Sequence, residues 1–392
     1  MPKKYRLGII GFAHMHVNHL AELFNTHPQV VWAGCADTVP LRPELRTAPY
    51  TRAWNLEHFQ NLAGHPATYA DYQDLLESEQ LDIAVVCAEN AQHGDVVEAC
   101  AAAGVHVVVE KPMAASLPEA LRMARASQAA GTTLVVNWPT TWDPAARKIK
   151  EVVDDGEIGR VLEVRWRGGH TGPLGPRNMH PGVSEETAPM SGVERGATWW
   201  HQAAAGGGAL LDYCCYGAMF AHWLVGEPAT AALGMKANLD SAWGDAEDNA
   251  AITVRFPSAM ALLEGSWTTW DHGVPPGLVV LGTRGALAFD SHGGKAHLER
   301  GHGDTVVFEN AALPAGREDI AHEMIHHLET GEPLHDTLEM GFNLKAMAIL
   351  DAGIRSAASG KLELVNNDTW AIGQEKNIHR RGTENTEKKK IF

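Results

Sequence analysis

Lys111 is the first residue in this chain whose type and place suggest chemistry. It follows Val105–Val109, a short apolar run without helical period, which reads as a strand buried on both faces of a parallel sheet. Ligands of open α/β sheets lie in the crevice beyond the carboxyl ends of the strands, so Lys111 delivers a cation there. Glu110 precedes it, and Pro112 stops the strand; an X-Pro bond is one that can be cis at modest cost. Further on, Asp212 and Tyr216 stand four residues apart and would share one face of a helix. A tyrosine with a nearby lysine is a workable acid/base pair. A phenol titrates near ~10 and is a poor base at neutral pH, and a neighbouring ammonium would lower that value.

Histidines make two further patterns. His14 and His16 sit at the turn after the first strand, where they could flank a phosphate, hold a metal or pack at a helix start. His322-Glu323-Met324-Ile325-His326 spells the H-E-x-x-H of zinc proteases, which on a helix puts two imidazoles on one face beside a glutamate. Apart from nearby His335, no third ligand is placed, and 21 histidines make chance matches common. Residues 317–330 read as a helix, and no metal ligand is assigned.

The elements that must position these groups alternate. Residues 5–10 read as a strand, Gly11 as a turn, 16–27 as a helix and 30–37 as a second strand ending on Asp37. Strand, glycine turn, helix, strand, acid is the order of a dinucleotide-binding unit. The glycine pattern is damaged: Gly8 and Gly11 remain, followed by Phe12, Ala13 and His14, with Ala13 small enough to keep the backbone near a pyrophosphate. Asp37 lies 26 residues after Gly11 and would accept hydrogen bonds from a ribose diol while repelling a 2′-phosphate, favouring NAD over NADP.

A helix at 71–80 and a strand at 81–88 follow, the strand ending at Ala88, with Glu89, Asn90 and His93 beyond it. Next come a helix at 95–103, the strand before Lys111, a helix capped by Ser116 and Glu119, and a strand at 133–137. This predicts a doubly wound parallel sheet of Rossmann type over residues 1–137.

After Asn137 the pattern changes. A helix is expected at 143–155, a strand at 161–167, a long Gly-, Pro- and Thr-rich loop at 168–198, and a helix at 210–225 after Gly206–Gly208. Strands at 250–256, 259–270, 278–281, 286–290 and 305–308 follow without helices between them, then helices at 317–330 and 337–359. Successive strands imply an open, mostly antiparallel sheet, so residues 138–371 read as a second, α+β domain. Residues 372–392 read as a polar tail, disordered or appended.

Composition bounds the partners. A net charge of −16 disfavours nucleic acid and anionic membrane. No apolar run reaches the ~18 residues of a membrane span. The first residues run straight into a strand, so no signal peptide is expected. Five cysteines without metal spacing read as reduced thiols, and a cytoplasmic location is expected.

Several motifs in order resemble those of the glucose–fructose oxidoreductase / inositol dehydrogenase / rhizopine-catabolism (Gfo/Idh/MocA) oxidoreductases. They are GIIG at 8–11, Asp37, Asn90 and His93, EKP at 110–112, GEIGRV at 156–161, GGGALLD at 206–212 and GTRGAL at 282–287, and the resemblance covers about residues 5–365. It implies a Rossmann domain plus a mostly antiparallel sheet domain that carries substrate and often builds dimers or tetramers. It implies Lys111 beside the nicotinamide and a peptide before Pro112 that can be cis. Asp212 would bind substrate; the position where the family usually has a proton-accepting histidine holds Tyr216, as in the branch with glucose–fructose oxidoreductase and dihydrodiol dehydrogenase.

The activity implied is hydride transfer between NAD, or NADP, and a hydroxyl of a sugar, cyclitol or related polyol. Lys111, Asp212 and Tyr216 are the expected catalytic groups. The expected cofactor contacts are Gly8, Gly11, Phe12, Ala13, His14, Asp37, Ala88, Asn90, His93, Glu110, Lys111 and Pro112. Trp199, Trp200 and His201, with Asp212, would line the sugar site, or the WWH cluster would simply pack. Two alternatives remain: non-redox net chemistry on a glycoside or keto-sugar, and a non-catalytic nucleotide-binding regulator.

Overall fold

A computed structural model describes residues 3–270, 277–289, 294–301, 303–310 and 312–367. The tail expected at 372–392 lies outside the described residues. The first sheet is built from β1 (Tyr5–Ile10), β2 (Val30–Ala36), β3 (Ala67–Tyr69), β4 (Ile83–Val86), β5 (His106–Glu110) and β6 (Leu134–Asn137). All pairs are parallel, in the order β3-β2-β1-β4-β5-β6. β4 and β6 are buried at every residue and β5 at all but its first, as strands covered by helices on both faces must be. The chain reverses direction between β1 and β4, which opens the crevice above their carboxyl ends. Ser116 caps the helix Leu117–Ala130 by accepting the Glu119 amide, as expected.

Helix Arg52–Ala63 and strand β3 were not anticipated. The helix buries Arg52, Asn55 and Phe59, so its inner face is mostly polar and gives no apolar stripe.

The second sheet comprises β7 (Val161–Gly169), β8 (Ala231–Ala237), β9 (Asn249–Arg255), β10 (Met260–Ser266), β11 (Gly277–Gly282), β12 (Ala286–Phe289), β13 (His297–Glu299), β14 (Thr305–Val307) and β15 (Glu363–Leu364). Among the described residues its order is β14-β13-β12-β11-β7-β10-β9-β8-β15. Every pairing is antiparallel except β7 with β10. β9 and β10 alternate buried and less buried residues, so one face packs on the helices Cys215–Val225 and Met340–Ser359 and the other faces outward. The strands β8 and β13, rich in small or polar residues, were not foreseen. β10 ends at Ser266, short of the strand expected to reach 270, because the chain turns and the Trp267 amide bonds to the Asp248 carbonyl at 2.7 Å.

One apolar cluster runs from Ile10 and Val109 through Trp138 to Leu263 and Val365, so both sheets share a core. Trp138 Nε1 donates to Asn343 Oδ1 at 2.7 Å across the junction. All five cysteines are free and buried. Among the described residues no helix is long and apolar enough to cross a membrane.

Candidate active site

The crevice is walled at one end by β1 and β2. Gly11 has φ +89°, and a Cβ there would fall 2.5 Å from the Ala88 amide nitrogen, so the turn is pressed against the end of β4. Asp37 ends β2 and turns back over it: Oδ1 accepts the amides of Phe12 and Thr38 at 2.9 Å and the Arg52 guanidinium at 2.6 Å. Arg52 also pairs with buried Glu89. Asp37 thus stands just past the end of β2 with a cation set behind it.

At the other end, β5 delivers Lys111, and the Lys111–Pro112 peptide is cis. Lys111 is 2% exposed. Its Nζ donates to Asp212 Oδ1 at 2.7 Å and to the Asp212 carbonyl at 3.2 Å. The other carboxylate oxygen accepts Trp267 Nε1 at 3.0 Å. Burial works against both charges. For Asp212, Lys111, His170 and the indole bond outweigh it and hold the carboxyl below its usual range. For Lys111, the Asp212 carboxylate outweighs it and holds the ammonium well above its usual value.

The helix expected at 210–225 begins with a π-helical turn, Leu210–Cys214, before the α-helix Cys215–Val225. The wider turn brings Tyr213 as well as Tyr216 to the cavity that holds Lys111 and Asp212. The Lys111 ammonium stands 5.0 Å from the centre of the Tyr216 ring, a cation–π contact with the ring face. Lys111 lowers the phenol, as expected, but the net shift of Tyr216 is upward. Burial raises it, and Lys111 offsets that only in part, so Tyr216 is protonated at neutral pH.

The cavity has a volume of about 320 Å³. His14, His16 and Trp200 close it on the first domain's side; His170, Arg177 and His180 come from the long loop. Trp200 therefore lines the site, as expected. Trp199 and His201 do not. Trp199 donates Nε1 to the Ala13 carbonyl at 2.8 Å. His201 is 1% exposed and packs on Trp243 and Trp267, and burial with Arg195 pushes it down to about 3. Tyr213, Trp267, His170 and Arg177 were missed: they sit in a π-turn, just past a strand, or in an irregular loop, where periodicity gives no signal.

Among the other expected cofactor contacts, several act as supports. Gly8 lies inside β1 against Leu81. His93 is fully buried, with Nδ1 3.2 Å from the Pro112 carbonyl and Nε2 3.3 Å from the Ala88 carbonyl. Asn90 donates to the Gly206 carbonyl at 2.8 Å and so ties the triple-glycine segment to the end of β4. Glu110 is fully buried between His16 and Asn137.

The residues fit a dinucleotide at its two ends, Asp37 at one and Lys111 at the other. Between them the turn is covered. Phe12, Ala13, His14 and Met15 are each at most 2% exposed. A Cβ on Gly182 would meet the His19 amide nitrogen at 2.6 Å, so the loop lies on the first turn of helix Val17–Thr26. A pyrophosphate at that helix start would have to displace this cover.

The H-E-x-x-H segment is an ordinary helix turn in Ile320–Thr330. His322 bonds to Asp319, Glu323 to Arg317 and His326 to Glu332, so each group has a partner of its own.

A buried lysine–carboxylate pair at the end of a Rossmann sheet, roofed by an antiparallel-sheet domain, defines a two-domain nicotinamide-type oxidoreductase architecture. Residues 5–138 match the profile of the oxidoreductase family with NAD-binding Rossmann fold, and residues 146–288 match the GFO/IDH/MocA C-terminal domain. The chain belongs to the GFO/IDH/MocA family of oxidoreductases. Inositol 2-dehydrogenase of Salmonella typhimurium is 28% identical over 163 residues, 41% of this chain and 45% of that protein. The chain thus spans about half the length of such curated relatives. Aldose–aldose oxidoreductase from Caulobacter crescentus, complexed with glycerol, superposes with a TM-score of 0.70 at 21% identity, over 92% of this chain and all of that one (100%). Levoglucosan dehydrogenase in complex with NADH and levoglucosan gives a TM-score of 0.70 at 20% identity, over 93% and 100%. At these identities the structural likeness is one of fold.

Proposed function

We propose that the protein is an NAD-dependent dehydrogenase acting on a ring hydroxyl, or the matching ketone, of a sugar, cyclitol or related polyol. The observation that carries this is the Lys111–Asp212 pair, buried at the strand ends and facing a polar cavity with aromatic walls. Support for the substrate class comes from the relatives, which are named for inositol and for sugars. The nicotinamide, when bound, exchanges the hydride.

The chain's own groups handle the proton and the charge. The Lys111 ammonium is locked in its charged form and stabilises negative charge on a substrate oxygen. Asp212 fixes that ammonium and is itself fixed by Trp267. Tyr216, neutral and beside the ammonium, is set as the acid that protonates a developing alkoxide; in the oxidation direction it must first lose its proton. Trp200 and Tyr213 offer ring faces to the apolar face of a sugar. The test is a 340 nm assay over a panel of polyols with NAD and of keto-sugars with NADH. Turnover of a member of the panel is expected; NADH binding without turnover of any would refute the dehydrogenase reading.

A homodimer or tetramer is proposed on the outward face of the second sheet. Leu233 (46%), Met235 (74%) and Met260 (47%) are exposed apolar side chains there, and exposed apolar surface on a sheet face is what an interface would cover. A monomer by light scattering at micromolar concentration would overturn it. Five buried free thiols support a reducing compartment, the cytoplasm.

A further inference from the structure

We propose that His14, His16 and Glu110 form a site for one divalent first-row transition-metal ion, opening onto the substrate cavity. Each offers one ligand atom, and these atoms lie within 4.8 Å of one another. Two imidazoles and one carboxylate are the donor set of three-ligand zinc, manganese and iron(II) sites, which leave coordination positions open for water or substrate oxygen. His14 and His16 line the same cavity as Lys111 and Asp212.

Three details favour an ion over simple packing. His16 Nδ1 and Glu110 Oε1 are 2.8 Å apart. Two ligands on one ion with bonds of about 2.1 Å stand about 3 Å apart at an octahedral edge, so an ion replaces the shared proton with little movement. Glu110 is already oriented by Asn137, which donates to its other oxygen at 2.8 Å, the kind of support that ligating carboxylates have.

His14 is the second detail. Its Nδ1 accepts the His16 amide at 3.1 Å, and its Nε2 is buried without a partner. A buried ring nitrogen left unpaired is costly, and packing alone does not explain it. On loading, Nε2 binds the ion, the ring proton moves to Nδ1, and the long amide bond is given up.

The third is His180, on the loop across the cavity. Its ring bonds to the Pro173 carbonyl and its Nε2 is sealed and unpartnered. That nitrogen is an acceptor for a water on the ion. The inference does not rest on the dehydrogenase reading, since all these groups belong to the chain itself.

The test uses the full-length protein, stripped with EDTA and titrated with Co²⁺, with Zn²⁺ competition and metal analysis of the unstripped protein. One equivalent of tightly bound metal and a cobalt visible spectrum with nitrogen ligation are expected. Affinity should fall at least tenfold in His14→Ala and in Glu110→Gln, and stay unchanged in His326→Ala. Circular dichroism checks folding of each variant, and His16→Gln stands in if the Glu110 variant does not fold. No stoichiometric metal on wild-type protein, or binding lost only in His326→Ala, would overturn the proposal. NADH titration of the metal-free protein is read separately: metal without NADH binding sinks the dehydrogenase reading alone, and NADH without metal sinks the metal site alone.

Discussion

Lys111 Nζ and Asp212 Oδ1 stand 2.7 Å apart, although Lys111 follows β5 of the first sheet, Asp212 lies in the π-turn Leu210–Cys214, and the two are 101 positions apart in the chain. The bond seats the second domain on the strand ends of the first. It also decides what each partner can do, since neither charge has much water around it. The consequences can be measured.

Asp212→Asn leaves the Lys111 ammonium buried without a counter-charge. Breaking one side of a buried pair costs about 3–5 kcal/mol, so a marked loss of thermal stability is expected. A Lys111→Met/Asp212→Leu double variant should recover most of that stability and none of the activity. The sign of the pH effect follows from the depressed Asp212 carboxyl: the pair's contribution is complete above ~3.9 and is lost as pH falls through the lower folded value. Thermal melts across acid pH check this; equal melting temperatures of wild type and Asp212→Asn would contradict it.

Tyr216→Phe should lower turnover roughly 10²–10⁴-fold, the usual worth of a positioned acid or base, with NADH affinity nearly intact. Adding Lys111→Ala should cost little more than the worse single change, because groups that act as a unit are non-additive. Since burial raises the phenol, alcohol oxidation should climb with pH and ketone reduction should not, and the climb should vanish in Tyr216→Phe. Full activity in Tyr216→Phe would assign the proton to another group.

NAD should bind more tightly than NADP if, as proposed, Asp37 takes the ribose diol. In Asp37→Ala the gap should shrink by about tenfold or more, the size of a lost charged hydrogen bond. Fluorescence titrations with NADH and NADPH decide it; an unchanged ratio would remove Asp37 from the cofactor site.

Much of this site could be read from sequence, for local reasons. Asp37, Lys111 and Pro112 end strands, and strand ends point at the crevice whatever the rest of the chain does. The pairing of Lys111 with Asp212 is not local, and the sequence does not announce it: the family resemblance implies both groups at the site, Lys111 by the nicotinamide and Asp212 on substrate, without joining them. Tyr213 stayed hidden because the π-turn at Leu210–Cys214 widens the helix and breaks the four-residue spacing from which faces are read. Helix Arg52–Ala63 stayed hidden because it buries Arg52 and Asn55, whose cost is offset by Asp37, Glu89 and Asn18, contacts that no window of sequence contains. The covered turn was equally invisible, since Trp199 reaches Ala13 from 186 positions away.

Several histidines make the fold acid-sensitive. Burial pushes His201 and His180 down to about 3 and His222 and His335 to about 4. Their folded values lie below the ordinary ~6.5, so the unfolded chain takes up more protons and stability falls as pH drops from there. Melting temperature should decline steadily below that pH. His201→Leu should flatten the decline if the variant folds as wild type; a profile unchanged from wild type would mean His201 is protonated in the fold.

The loop that covers the glycine turn also gives the cavity Arg177 and His180. One segment therefore serves two ligands. Were a dinucleotide to displace the loop from the turn, Arg177 and His180 would leave the cavity wall with it. Under the proposed dehydrogenase reading, a compulsory order is expected, with the nucleotide first on and last off and excess polyol inhibiting its own oxidation; product-inhibition patterns check it, and random-order kinetics would contradict it.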